Sequence, residues 1–173
     1  MIAYRPMAPP DRAFVIASWV ESFRCAHSAG MIPMSTWRDL MPGIIGEVID
    51  RPDARTLVAY ETEEHGNLVD LYGFISGEPD PIWSPVAKQS LPLVFYTYVK
   101  APYRCRGIAT GLFRAIGIDP GRAFAFTCKT SWASLLSSKI PHSKWDPLLA
   151  RFPRSTAERY TPPKVEYRKH GKP

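Results

Sequence analysis

A run of apolar and aromatic residues, Leu91–Lys100, is followed a few positions later by a glycine that opens an amphipathic segment. No other feature limits the fold so closely. Leu, Val, Phe, Tyr and Thr dominate the run, which is the composition of a buried strand. Ala101–Arg106 has room only for a short loop. Gly107 then opens a helix through Leu112, Phe113 and Ile116, closed by Gly117 and Asp119-Pro120-Gly121. Ala123–Cys128 reads as a second buried strand. A strand, helix and strand in this order predict a crossover that sets the two strands parallel.

The rest of the chain is arranged around that unit. Ile2–Met7 reads as a first strand, stopped by Pro9-Pro10. Asp11 is a suitable N-cap for a helix carrying Phe14, Val15, Ala17, Trp19, Val20 and Phe23 on one face. Gly30 marks the end of that region. A second helix begins near Ser35 and presents Trp37, Leu40 and Met41. Pro42-Gly43 is expected to interrupt it before Ile44, Ile45, Val48 and Ile49 resume it. Thr56–Thr62, the turn Glu63–Asn67 and Leu68–Ser76 form a predicted hairpin. Gly77 to Gln89 holds three prolines and is read as a long loop. Ser131–Lys139 is read as a further helix. The predicted order is β-α-α-β-β-β-α-β-α, an α/β (α+β) chain with a central mixed, mostly antiparallel sheet flanked by helices. Residues 1–152 would form the single domain and 153–173 a basic, proline-containing tail.

Composition narrows the function classes. With 173 residues and 45% hydrophobic content, the chain suits one soluble domain. No apolar run approaches the ~20 residues of a bilayer span, and Met1–Pro6 lacks the apolar core of a secretory signal. A cytoplasmic protein with no membrane partner is expected. Cys25, Cys105 and Cys128 show neither disulfide nor metal-ligand spacing, so no metal site is expected. Net charge is +6, with Arg151, Arg154, Arg159, Lys164, Arg168, Lys169 and Lys172 crowding the end. Such an end is either a solvated terminus or a surface for nucleic acid.

Chemistry concentrates between Tyr98 and Phe113. The loop carries Arg104 and Arg106, and Gly107 stands at the turn into the helix. The first amides of a helix have no acceptors within it, and the helix dipole adds positive character there. Such an end accepts phosphate through the backbone alone. Arg104-x-x-Gly107-x-Ala109, placed between that strand and that helix, resembles the R/Q-x-x-G-x-G/A motif of the GNAT N-acetyltransferases. Tyr72-Gly73-Phe74-Ile75 resembles that family's third strand, and the element order is similar over residues 2–139.

The resemblance implies a GNAT-like fold and transfer of an acetyl group from acetyl-CoA to an amine, by direct transfer in a ternary complex. It implies that Arg104, Cys105, Arg106, Gly107, Ile108, Ala109 and Thr110 hold the CoA pyrophosphate, and that Tyr98, Val99 and Lys100 pair with the pantetheine arm. It also implies that this strand and the next splay apart. The family's N-x-x-A-x-x-x-Y pattern, whose tyrosine supplies a proton to the leaving thiolate, falls on Thr130-x-x-Ala133-x-x-x-Ser137. Ser137 thus stands where a phenol is usual, as a water-relayed hydroxyl or as an exposed helix serine. Tyr96 and Tyr98 alternate onto one strand face, either lining the cleft as an acid or packing in the core. Cys128 reads as a small buried hydrophobe rather than a nucleophile. His27 and His142, with Trp19, Glu21, Arg24, Trp37 and Asp39, lie where the family shapes its acceptor pocket, or belong to core and solvated faces. The partners expected are a small-molecule or protein amine, with nucleic acid possible through the basic tail. The alternative is a catalytically altered CoA-binding module, or a nucleic-acid-associated one, on the same fold.

Overall fold

Where apolar residues alternate the chain forms strands, and where they recur every three or four residues it forms helices. The computed structural model describes residues 2–24, 32–62, 68–128 and 143–145. In chain order these form β1 (Ile2–Pro6), α1 (Arg12–Arg24), α2 (Met34–Ile49), β2 (Arg55–Thr62), β3 (Leu68–Ser84), β4 (Gln89–Val99), α3 (Ile108–Ile116), β5 (Phe124–Phe126) and β6 (Ser143–Trp145). The six strands make one sheet whose spatial order is their chain order. β1 to β4 pair antiparallel, and β5 and β6 add in parallel. The sheet is therefore mixed and mostly antiparallel.

Each face of the sheet buries its own core. On one face α1 and α2 bring Val15, Trp19, Val20, Trp37, Ile45 and Ile49 against Val58, Phe74, Leu93 and Phe95. On the other, α3 brings Ile108, Leu112 and Ile116 against Ala59, Ile75, Val94 and Phe124. Helix α3 is thus the crossover between parallel β4 and β5. No helix among the described residues is long and apolar enough to cross a membrane.

Four expectations change. Helix α2 runs unbroken from Met34 to Ile49 with Pro42 inside it. Burying Trp37 in its first half and Ile45 and Ile49 in its second outweighs the ~3 kcal/mol an internal proline costs. The loop expected over Gly77–Gln89 is mostly strand, because β3 extends to Ser84 and β4 begins at Gln89. The ladder passes from Glu78↔Leu93 to Ile82↔Leu91, so Pro79 and Pro81 fall in an irregularity where no ladder amide is required. Asp11 does not cap α1 directly. It closes a 3-10 turn over Pro9–Asp11, where its carboxylate accepts the Ala8 amide and the Arg5 guanidinium. β6 is a strand that sequence reasoning did not anticipate. The proposed turn at Glu63–Asn67, the helix over Ser131–Lys139 and the tail 153–173 lie outside the described residues.

Candidate functional site

The site is built where β4 stops pairing with β5. The two strands match only at Leu93↔Ala125 and Val94↔Phe126. The Thr127 amide then donates to the Val94 carbonyl at 3.2 Å, and the Thr127 hydroxyl to the Phe95 carbonyl at 3.2 Å. Past this point β4 continues to Val99 with no β5 partner among the described residues. The divergence follows a bulge, because β3 advances one residue from Ser76 to Gly77 while β4 advances two, from Tyr96 back to Val94. A bulge bends the strand that carries the extra residue.

The direction of the free groups follows from alternation. The Lys100 amide donates to the Tyr72 carbonyl at 2.8 Å, so Lys100 turns its amide towards β3. Counting back by two, Tyr98 and Tyr96 do the same, whereas Thr97 and Val99 turn theirs to the opened edge. Val99 gives its carbonyl to Arg104 Nε at 3.0 Å. The Thr97 hydroxyl oxygen is buried with no hydrogen-bond partner among the described residues.

At the same sheet end, helix α3 begins without a side-chain cap. Its first internal bond runs from Gly111 N–H to Gly107 C=O at 2.9 Å, so the amides of Ile108, Ala109 and Thr110 precede the ladder. Gly107 has φ +78°, the left-handed region that glycine enters freely. Among the described residues, its chain neighbours aside, nothing lies within 4 Å of where its Cβ would stand, which leaves space on that side of the turn. Cys105 also has a positive φ of 63°. Arg104, Cys105, Arg106, Gly107 and Thr110 are exposed, while Ile108 anchors the turn in the core. The Arg106 guanidinium lies 5.7 Å from the Tyr103 ring centre. A diphosphate needs an accessible cluster of amides and cations, and these residues fit that need. A pantetheine arm needs a strand edge with unspent peptide groups, and the Thr97 peptide group and the Val99 amide fit that need, the Val99 carbonyl being taken by Arg104.

The sequence candidates fall in different places. Arg104 to Thr110 are brought together at the helix start. Tyr98, Val99 and Lys100 border the opened edge, with the main-chain division just described. Tyr98 is half-buried, its ring 6.5 Å from Phe14 and 5.9 Å from Phe74. Tyr96 is 5% exposed, stacks on Trp19 at 4.8 Å and donates its hydroxyl to Ser22 Oγ at 2.9 Å. Cys128 is half-buried against the α1–α2 core, and burial pushes its thiol pKa up. Among the named pocket residues, Trp19 and Trp37 are core, and Glu21 pairs with Arg38 at 3.2 Å on the surface. Ser137, His27 and His142 lie outside the described residues. Among the described residues no cluster of His, Cys, Asp or Glu is able to hold a metal.

Residues that sequence reasoning passed over surround the loop. Tyr103 lies against Tyr72 with ring centres 4.1 Å apart. The Tyr72 hydroxyl donates to Glu61, which pushes the phenol pKa up to about 12 and keeps it a donor. Asp70 reaches both Lys100 and Tyr103. Thr97 was available from strand alternation alone. The others depend on pairings that no local pattern announces.

No family model matches the sequence, and no curated protein matches it. Solved structures do match. A Pyrococcus furiosus protein provisionally designated an acetyl transferase superposes with a TM-score of 0.58 at 11% identity, covering 80% of this chain and 91% of that one. The aminoglycoside 6'-N-acetyltransferase AAC(6')-Ih of Acinetobacter baumannii gives 0.48 at 12% identity, covering 81% and 89%. Arabidopsis thaliana NAA60, solved with acetyl-CoA, gives 0.42 at 17%, covering 83% and 71%. The fold is that of the GNAT acetyltransferases.

Proposed function

We propose that this protein is an N-acetyltransferase that moves an acetyl group from acetyl-CoA to an amine, by direct transfer in a ternary complex. The observation that carries the reading is the meeting, at one end of the sheet, of an uncapped helix start and a strand edge released from its neighbour. The helix start offers the amides near Gly107 to a pyrophosphate, with Arg106 beside them. The edge offers the Thr97 peptide group and the Val99 amide to the pantetheine amides, the Val99 carbonyl being held by Arg104. Together they would hold a thioester in the gap between β4 and β5.

Acetyl transfer then needs three things of the chain. The amine must arrive neutral. A donor must meet the oxyanion as the nitrogen adds to the thioester carbonyl, and a main-chain amide at the bulge of β4 suits that task. The departing thiolate must receive a proton. Of the two strand tyrosines, Tyr98 fits the donor role better, because the Tyr96 hydroxyl is committed to Ser22 inside the core. Ser137 is the second hydroxyl proposed for that step, on sequence grounds. The acceptor is an amine, carried by a small molecule or by a protein. A cytoplasmic location is part of the same reading.

The test is thermal stability with and without acetyl-CoA for wild type, Gly107→Glu and Gly107→Ala. Ligand at 100 times its Kd should stabilise wild type by about 2.7 kcal/mol. Glutamate would put a carboxylate where the pyrophosphate is proposed to lie and should abolish the gain. Alanine carries the same backbone strain without the charge and should keep most of it. No gain for wild type at millimolar acetyl-CoA would overturn the proposal.

A further inference from the structure

The acetyl-CoA reading leaves open what holds the anion-binding loop in shape, and the following inference rests on that reading. Between Lys100 and Gly107 the chain belongs to no strand or α-helix. It makes a single 3-10 turn over Ala101–Tyr103 and then passes through two positive-φ residues, Cys105 and Gly107. A non-glycine residue in that region persists only when its surroundings over-determine it.

Asp70 on β3 supplies a tie at each end of the turn. Its Oδ1 accepts the Lys100 ammonium at 2.5 Å, and its Oδ2 accepts the Tyr103 hydroxyl at 3.3 Å. Oδ1 also accepts the Leu71 amide at 2.8 Å, which fixes the carboxylate on its own strand. Lys100 precedes the turn and Tyr103 completes it, so one carboxylate brackets the segment. From Tyr103 the linkage continues outward. Its ring rests against Tyr72, and Arg106 lies over that same ring. A side chain rooted in the sheet is thereby connected to the guanidinium at the mouth of the anion site.

We propose that Asp70 is a positioning residue for the cofactor, one that sets the orientation of the 104–110 loop and of Arg106. It governs affinity for the diphosphate end of acetyl-CoA and leaves the thioester end alone. The sign of its effect separates this role from plain electrostatics. A carboxylate near an anion site repels the ligand, so charge alone predicts tighter binding when Asp70 is removed. Positioning predicts weaker binding.

The experiment measures Kd by calorimetry for acetyl-CoA and for S-acetylpantetheine, which lacks the diphosphate. It uses wild type, Asp70→Ala and Tyr103→Phe. Asp70→Ala should weaken acetyl-CoA binding about tenfold, the equivalent of ~1.4 kcal/mol, with S-acetylpantetheine unchanged. Tyr103→Phe keeps the ring stack and loses only the hydroxyl tie. It should weaken acetyl-CoA a few-fold, and it serves alone if Asp70→Ala does not fold. Equal or tighter acetyl-CoA binding in the variants overturns the inference. An equal loss for both ligands also overturns it, because that marks a general softening of the fold. A wild type that binds neither ligand overturns the acetyl-CoA reading itself, and this inference with it.

Discussion

A Cβ added at Gly73 would overlap the Tyr98 carbonyl oxygen, and one at Gly77 would overlap that of Leu93. Backbone atoms in a ladder do not move aside as the end of a side chain does. These two glycines therefore let β3 press against β4 on either side of the bulge that releases β4 from β5. Gly73→Ala should lower stability by about 1–3 kcal/mol, the range for overpacking a filled site, read as a reduced urea midpoint. Asp11 makes a different residue-scale prediction. Its burial alone would raise its pKa, but the bonds from Arg5 and the Ala8 amide more than offset that, and the carboxyl stays below its ordinary range. A folded pKa below the unfolded one contributes stability that is complete above the unfolded value and is lost as pH falls through the folded one. Melting temperature should thus fall below about pH 4, and Asp11→Asn should flatten that fall. Thermal melts from near neutrality into acid measure both slopes. Asp50, held low by Arg12, and Asp70, held low by Lys100, act with the same sign, so Asp11→Asn removes only part of the effect.

At the scale of elements, α2 carries a cost it could shed. Proline inside a helix removes one ladder bond and crowds the preceding turn. Pro42 is tolerated because Trp37, Ile45 and Ile49 are buried on either side of it. Pro42→Ala should stabilise the protein by about 1–2 kcal/mol, less than the full helix cost, because the unfolded chain regains freedom. A chemical denaturation curve with an unchanged slope and a higher midpoint would show it. The same element explains what the sequence conveyed and what it hid. β4 and α3 were legible because dense apolar patterning and Gly107 agree on one reading, and with them the loop Arg104–Thr110. The second half of β3 was hidden because Pro79 and Pro81 read as breakers when taken locally. Only pairing with Leu91 and Leu93 reveals that they occupy an irregularity. Asp70 and Tyr103 were hidden for a related reason. Their meeting depends on β3 and the β4 exit lying side by side, which is a property of the sheet.

Across the whole molecule, support is uneven. β4 pairs with β3 over nearly its whole length, from Gln89 to Val99, while β5 meets β4 at two residue pairs and β6 meets β5 at three. Regions with few pairings open at lower free energy than the body of a domain. Amide hydrogen exchange should therefore protect Phe74, Ile75 and Leu93 far longer than Phe126 and Trp145. Uniform protection across the sheet would contradict that division. The equality of spatial and chain order has a consequence for how the protein comes to be. Among the described residues each strand after β2 joins the free edge left by the one before it. As the chain leaves the ribosome, the sheet is able to grow from a single side, one strand per stretch of translation. β1 is the exception, since it waits through the synthesis of both N-terminal helices before β2 arrives to receive it.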